Sequence, residues 1–187
     1  MTDDKALISL VLKGDMQAFK LLIKQHERLV AHMIGRLIRL PEDREELCQD
    51  VFIKVYEKLG EFNYQSKLST WIATIAYRHA INHVRKRKLE LSDIPEEESF
   101  NSYFISDSNP ESELSEMDQE NQILKLIEFL PHQYKTVLTL YHLESMNYQE
   151  IGEITGMPEG TVKNYLFRAR FMLKEKINQF YGKEEVI

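Results

Sequence analysis

The sequence predicts an all-α chain in two modules, on three observations. Gly and Pro are scarce, 7 and 5 in 187 residues, whereas an all-β fold leans on them for a turn about every 8–12 residues. Apolar residues recur at helical spacing along most of the chain. The exception is residues 89–122, which contain eleven acids and neither Lys nor Arg. An apolar fraction of 43 % supplies a core elsewhere, so this stretch reads as a solvated tether between two helical bodies. The expected division is 1–88, a tether over 89–122, and 123–187.

Gly14-Asp15 ends a short first helix and caps a second. Gly provides the left-handed terminus and the Asp carboxylate accepts from the first free N–H groups. Phe19, Leu22, Ile23, Leu29, Val30, Met33, Ile34, Leu37 and Ile38 then keep helical spacing, giving a helix over 15–40 limited by Pro41. Asp43-Arg44-Glu45-Glu46 reads as a capping box for the next helix, whose stripe is Leu47, Val51, Phe52, Val55 and Leu59. Gly60 ends it. A polar loop, 61–69, precedes a helix capped by Thr70 and running from Trp71 to about Lys88, with Trp71 placed to pack under the loop. Beyond the tether, Ile123, Leu124, Ile127 and Leu130 resume the helical period, and Pro131 starts a helix carrying Tyr134, Val137, Leu138 and Tyr141.

Composition excludes several function classes. The single Cys48 permits no intramolecular disulfide framework or Cys-rich zinc module. Its place in an apolar helix suits burial better than nucleophilic work. His79 and His83 are spaced i, i+4, but no Glu follows the first and no third ligand is evident. No metal, no cofactor and no catalytic activity of the chain itself are therefore expected. Thr2, Asp3 and Asp4 stand where a signal peptide would be basic, and the apolar run 29–35 is closed by Arg28 and Arg36. A membrane span needs about 20 apolar residues; the expectation is a cytoplasmic protein without membrane insertion.

The net charge of −6 is unevenly spread. Residues 1–88 hold 16 bases against 11 acids, and residues 123–187 hold eight of each. The basic groups fall into two constellations. The first lies in 148–170, where the pattern is that of a helix-turn-helix. Ile151 and Val162 take buried positions, Gly152 is small where helices approach, and Gly156 allows the positive φ of the turn. Pro158 and Glu159 suit the start of a protruding helix, 159–170. Its candidate groove-facing residues are Lys163, Asn164, Phe167, Arg168 and Arg170. Cations neutralise phosphates, and Arg or Asn reads base edges through paired hydrogen bonds. An αα-hairpin with a solvated basic face fits the same pattern.

The second constellation is Ser69-Thr70-Trp71-Ile72, then Arg78, Asn82 and Arg85-Lys86-Arg87-Lys88. Positions 78, 82 and 85 share one helix face, where they and Lys86 can engage phosphates or simply close a basic helix end.

With Ala18-Phe19, Leu47-Cys48-Gln49-Asp50-Val51-Phe52, Leu68-Ser69-Thr70-Trp71-Ile72, Leu130-Pro131, Tyr148-Gln149-Glu150-Ile151 and Gly160-Thr161-Val162-Lys163 in this order, the chain resembles bacterial RNA polymerase sigma factors of the extracytoplasmic-function (ECF) group. The resemblance covers nearly everything but the tether. It implies a factor that binds core RNA polymerase and directs promoter recognition, −10 melting and transcription initiation. The N-terminal domain would be a region 2-like bundle and the C-terminal domain a region 4-like helix-turn-helix.

By the same resemblance, Glu46, Gln49, Asp50 and Ile53 face the polymerase clamp, although Glu45 and Glu46 also suit a capping network. An acidic, partly apolar face complements a basic partner. Asn63, Tyr64, Ser66 and Lys67 fall in the loop resembling the pocket for an unstacked −10 base; Tyr64 can equally anchor its own loop. Arg78 and Asn82 depart from the family's usual Asn and Asp, exchanging a carboxylate for a cation. Arg85 and Lys86 join them as −10 contacts. Lys163, Asn164, Phe167, Arg168 and Arg170 become the −35 contacts. The tether of 34 residues can join elements one or two turns of DNA apart, each turn about 34–36 Å. It either threads the polymerase channels or is a spacer. Promoter DNA, core polymerase and an anti-sigma factor are the implied partners. The alternative function is a stand-alone helix-turn-helix regulator.

Overall fold

The computed structural model describes residues 4–38, 40–91 and 125–181. They form helices with no strand among them: α1 (Asp4–Leu12), α2 (Met16–Leu37), α3 (Pro41–Lys58), a 3-10 turn (Leu59–Glu61), α4 (Leu68–Leu91), α5 (His132–His142), α6 (Tyr148–Thr155) and α7 (Glu159–Tyr181). The expected tether lies outside the described residues, apart from the end of α4. The chain divides into two compact units, one holding α1–α4 with residues 149–156 and the other holding α5 and α7.

In the first unit α4 packs along α2, α3 closes against both, and α1 rests on α2 and the 3-10 turn. The α1–α2 junction is built as the sequence expects. Gly14 has φ +89°, and the Asp15 carboxylate accepts from the backbone N–H groups of Gln17 (2.8 Å) and Ala18 (3.1 Å). Leu22, Val30, Met33 and Ile34 from α2 and Val51 and Val55 from α3 are all fully buried. The buried side of α4 is Ile72, Ala73, Ala76 and Ala80. Three alanines on one side let the α4 backbone come close to its neighbours, so α4 is held with little side-chain volume and its opposite side is exposed.

Several boundaries differ from the sequence reading. The helix expected over 15–40 stops at Leu37, with Ile38 extended and its N–H on Ile34. The expected capping box is inside α3, which starts at Pro41 behind an uncapped Leu40. Pro supplies a preset φ and lacks the N–H that a cap would satisfy, while the Arg44 side chain ties the start down by donating to the Ile38 carbonyl at 2.7 Å. Thr70 is no cap either: α4 begins at Leu68, the Trp71 N–H donates to the Lys67 carbonyl at 3.1 Å, and the Thr70 hydroxyl is buried without a hydrogen bond. Cys48 is half-buried, and partial burial raises its thiol pKa.

In the second unit α5 and α7 pack around Ile127, Leu130, Leu138 and Ala169, flanked by Tyr134, Met172 and Leu173. Tyr134 meets Tyr165 edge-on at 5.1 Å. Helix α6, whose residues 149–156 group with the first unit, ends at a hydrogen bond from the Gly156 N–H to the Gly152 carbonyl (2.8 Å), with Gly156 at φ +76°. The Pro158 carbonyl then accepts from Thr161 and Val162, so Pro158 stands just before the first turn of α7. Ile151 and Val162 are fully buried, as the helix-turn-helix pattern requires. Helix α7 runs unbroken to Tyr181, so the expected helix 159–170 and the basic C-terminal helix expected through Leu173 and Ile177 are one element.

Candidate nucleic-acid interface

On α7, Val162, Leu166 and Ala169 are buried, Ala169 in the core shared with α5, which points the opposite side of α7 to solvent. Lys163, Asn164, Phe167 and Arg168 all lie on that side and are exposed. Phe167 is 72 % exposed and Phe171, one turn on, 59 %. An aromatic this exposed is more informative than an exposed charge, because nothing within the unit covers it. Phe171 was absent from the sequence-derived set; its i+4 spacing from Phe167 was the available signal. Lys163 pairs with Glu159 at 2.9 Å, and this hydrogen bond and charge raise the ammonium pKa. Arg170 is at the edge of the face. Its guanidinium hydrogen-bonds His142 Nε2 at 3.2 Å, and burial together with Arg170 lowers the imidazole pKa.

In the first unit Arg78, Asn82, Arg85 and Lys86 are exposed. Positions 78, 82 and 85 fall opposite Ala73, Ala76 and Ala80 on the helical wheel. The packing of α4 thus presents these side chains as a polar row. The loop ahead of α4 is built on aromatics. Buried Phe62 meets half-buried Trp71 at 5.3 Å and Tyr64 at 4.8 Å. Tyr64 has φ +61° and remains about half exposed, with the Lys5 ammonium 5.6 Å from its ring centre. Non-glycine residues seldom adopt this region, and Asn63 helps hold it: its side-chain oxygen accepts from the Gln65 N–H at 3.2 Å. Asn63 and Tyr64 therefore shape the loop as well as line it. Ser66 is half-buried, and Lys67 pairs with Glu150 of the same unit at 2.7 Å.

Glu46, Gln49 and Ile53 are exposed on α3, and Asp50 is half-buried among them. Ile53, 57 % exposed, gives this acidic face an apolar centre. Tyr56, three residues on, is also exposed and its ring meets Phe19 at 4.9 Å. Sequence reading missed Tyr56, although its i+3 spacing from Ile53 places it on the same side. No group of three or more metal-ligating side chains occurs among the described residues. Nor is any helix among them long and apolar enough to cross a membrane.

Comparison with known proteins places these elements. The family model Sigma-70 region 2 matches residues 22–90, and Sigma-70, region 4 matches residues 120–173. The ECF RNA polymerase sigma-E factor of Haemophilus influenzae is 33 % identical over 180 residues, spanning 93 % of this chain and 95 % of its own. RNA polymerase sigma-H factor of Pseudomonas aeruginosa is 31 % identical over 175 residues, spanning 89 % and 90 %. Among solved structures, the sigma factor RpoE of Bartonella quintana, crystallised with the anti-sigma factor NepR, has the same fold, with a TM-score of 0.67. It is 23 % identical, and the match covers 86 % of this chain and 96 % of that one. Two family regions in the expected order, and full-length relatives above 30 % identity, lead to one conclusion: the chain belongs to the ECF RNA polymerase sigma factors.

Proposed function

We propose that this sigma factor grips a promoter at two places and the polymerase at a third. Helix α7 enters the major groove of the −35 element through Lys163, Asn164, Phe167 and Arg168, with Arg170 at the rim. The 63–67 loop and the row Arg78, Asn82, Arg85 and Lys86 take the −10 element. The α3 face of Glu46, Gln49, Asp50 and Ile53 docks on the polymerase. The observation that carries this reading is the exposed side of α7, where cations, an amide and an uncovered aromatic lie together. Phosphates, base edges and thymine methyl groups call for that mixture.

The proposed division is 1–88 for polymerase and −10 contacts, 89–122 as the tether, and 123–187 for the −35 element. Taking a −10 base out of the stack costs a few kcal/mol. The exposed Tyr64 ring and the polar atoms of Asn63 and Ser66 offer stacking and edge contacts to offset it. The factor acts where the polymerase is, in the cytoplasm. Because the Bartonella quintana relative is solved with an anti-sigma factor, a partner of that kind is proposed here too.

Run-off transcription with purified core polymerase tests the whole reading. Promoter-specific transcripts should require this protein; tight duplex binding with no effect on initiation would instead mark a stand-alone regulator. Two substitutions separate the sites. Arg168→Ala should lower promoter affinity by roughly 5–150-fold, equivalent to about 1–3 kcal/mol, and leave core polymerase binding within about twofold. Equal loss of both would remove Arg168 from the −35 set. Asp50→Lys should weaken core polymerase binding by about tenfold through charge reversal on the docking face; unchanged affinity would count against that face.

A further inference from the structure

We propose that Tyr141 and Tyr148 are positioning residues for DNA binding, a two-ring platform that holds the Arg170 and Lys163 side chains in place along α7. The proposal rests on the reading of α7 as the −35 helix. Tyr141, near the end of α5, and Tyr148, at the start of α6, stack with centroids 5.4 Å apart and planes 15° from parallel. The connecting loop brings them together: Ser145 has φ +52°, and the Met146 N–H donates to the Leu140 carbonyl at 3.0 Å. Each ring carries one cation from α7. The Arg170 guanidinium lies 5.2 Å from the Tyr141 centroid, and the Lys163 ammonium 5.3 Å from that of Tyr148.

Second contacts fix both cations. Arg170 donates to His142 Nε2 at 3.2 Å, and the His142 ring meets Tyr141 edge-on at 5.0 Å. Lys163 is held by Glu159 at 2.9 Å. A hydrogen bond between the two phenols raises the Tyr148 pKa, and the faces of neutral phenol rings attract cations. Seven residues separate Lys163 from Arg170, about two turns or 10 Å along the helix. A free Lys or Arg gives up much rotamer freedom when it binds a phosphate. A cation already resting on a ring gives up less, so the platform raises affinity without touching DNA itself.

A double-mutant cycle on the full-length protein bound to core polymerase tests this. The probe is a promoter fragment chosen by wild-type run-off transcription, and affinity is measured at several salt concentrations. Tyr141→Leu should weaken promoter binding about fivefold, while Tyr141→Phe, which keeps the ring, should stay within about twofold of wild type. In an Arg170→Ala background Tyr141→Leu should have no further effect, and the salt dependence should be shallower in both single variants. An equal loss from Tyr141→Leu in both backgrounds would mean a merely structural role and overturn the proposal. So would a Tyr141→Phe variant as weak as Tyr141→Leu. If Arg168→Ala and Arg170→Ala both leave promoter binding unchanged, the reading of α7 falls and the platform with it. Should Tyr141→Leu not fold, the parallel cycle of Tyr148→Leu with Lys163→Ala decides by the same criteria.

Discussion

Replacing Leu130 with alanine is expected to destabilise the second unit by about 2–5 kcal/mol, the usual cost of truncating a fully buried leucine. Leu130 is wholly inaccessible and sits in the cluster with Ile127, Leu138 and Ala169 that joins α5 to α7. The loss has two sources: apolar surface no longer removed from water, and a void that packed helices cannot fully close. Because Ala169 belongs to α7, the same cluster sets how α7 is held, so promoter binding should fail at lower temperature than in the wild type. Leu173→Ala, at the half-buried edge of the cluster, should cost distinctly less. Urea unfolding of the three proteins checks the order. A Leu130→Ala loss below about 1 kcal/mol would show that this cluster does not hold the unit together.

The second large effect is a dependence of stability on pH, centred on His132. This residue is 2 % exposed, its Nδ1 is buried without a hydrogen bond, and its pKa falls from 6.5 to about 4. Burial is the main cause, and the Lys135 charge adds to it. The fold therefore favours the neutral imidazole. Below about pH 6.5 the unfolded chain takes up a proton that the folded chain refuses, so stability must fall as pH drops. The loss accumulates between pH 6.5 and about 4 and then levels off. At about 1.4 kcal/mol per pKa unit it amounts to roughly 3 kcal/mol. His132→Gln, with no proton to take up, should flatten the curve across this window. Since His26 and His142 are also shifted down by burial, the difference between wild type and variant isolates His132. Parallel curves would remove it as the source.

Much of the local geometry around the candidate site is legible in the sequence. Asp15 works as a cap because its carboxylate needs only the N–H groups of the next residues, a local arrangement that spacing reveals. Gly156 marks its turn for the same reason. Lys163, Asn164, Phe167 and Arg168 were found together because i+3 and i+4 spacing alone puts residues on one side of a helix. The starts of α3 and α4 were misread where two local signals competed. Asp43 looked like a cap, yet Pro41 began the helix two residues earlier. Thr70 looked like another, yet Leu68 was drawn into the helix by its own burial at 1 % exposure.

His132, Lys135, Thr136 and Thr139 were not legible at all. They are polar residues on α5, and each is buried. Nothing local in their chemistry asks for that; only packing imposes it.

The sequence by itself determined the all-α class, the helix-turn-helix and the family, because these rest on periodicity, turn chemistry and residue order. Tertiary structure decided which cations stand free and which are held. Arg170 and Arg168 look equivalent in the sequence, but only Arg170 reaches the Tyr141 ring and His142. That difference arises because α5 returns beside α7, a contact between residues 28 positions apart, which no pattern along the chain encodes.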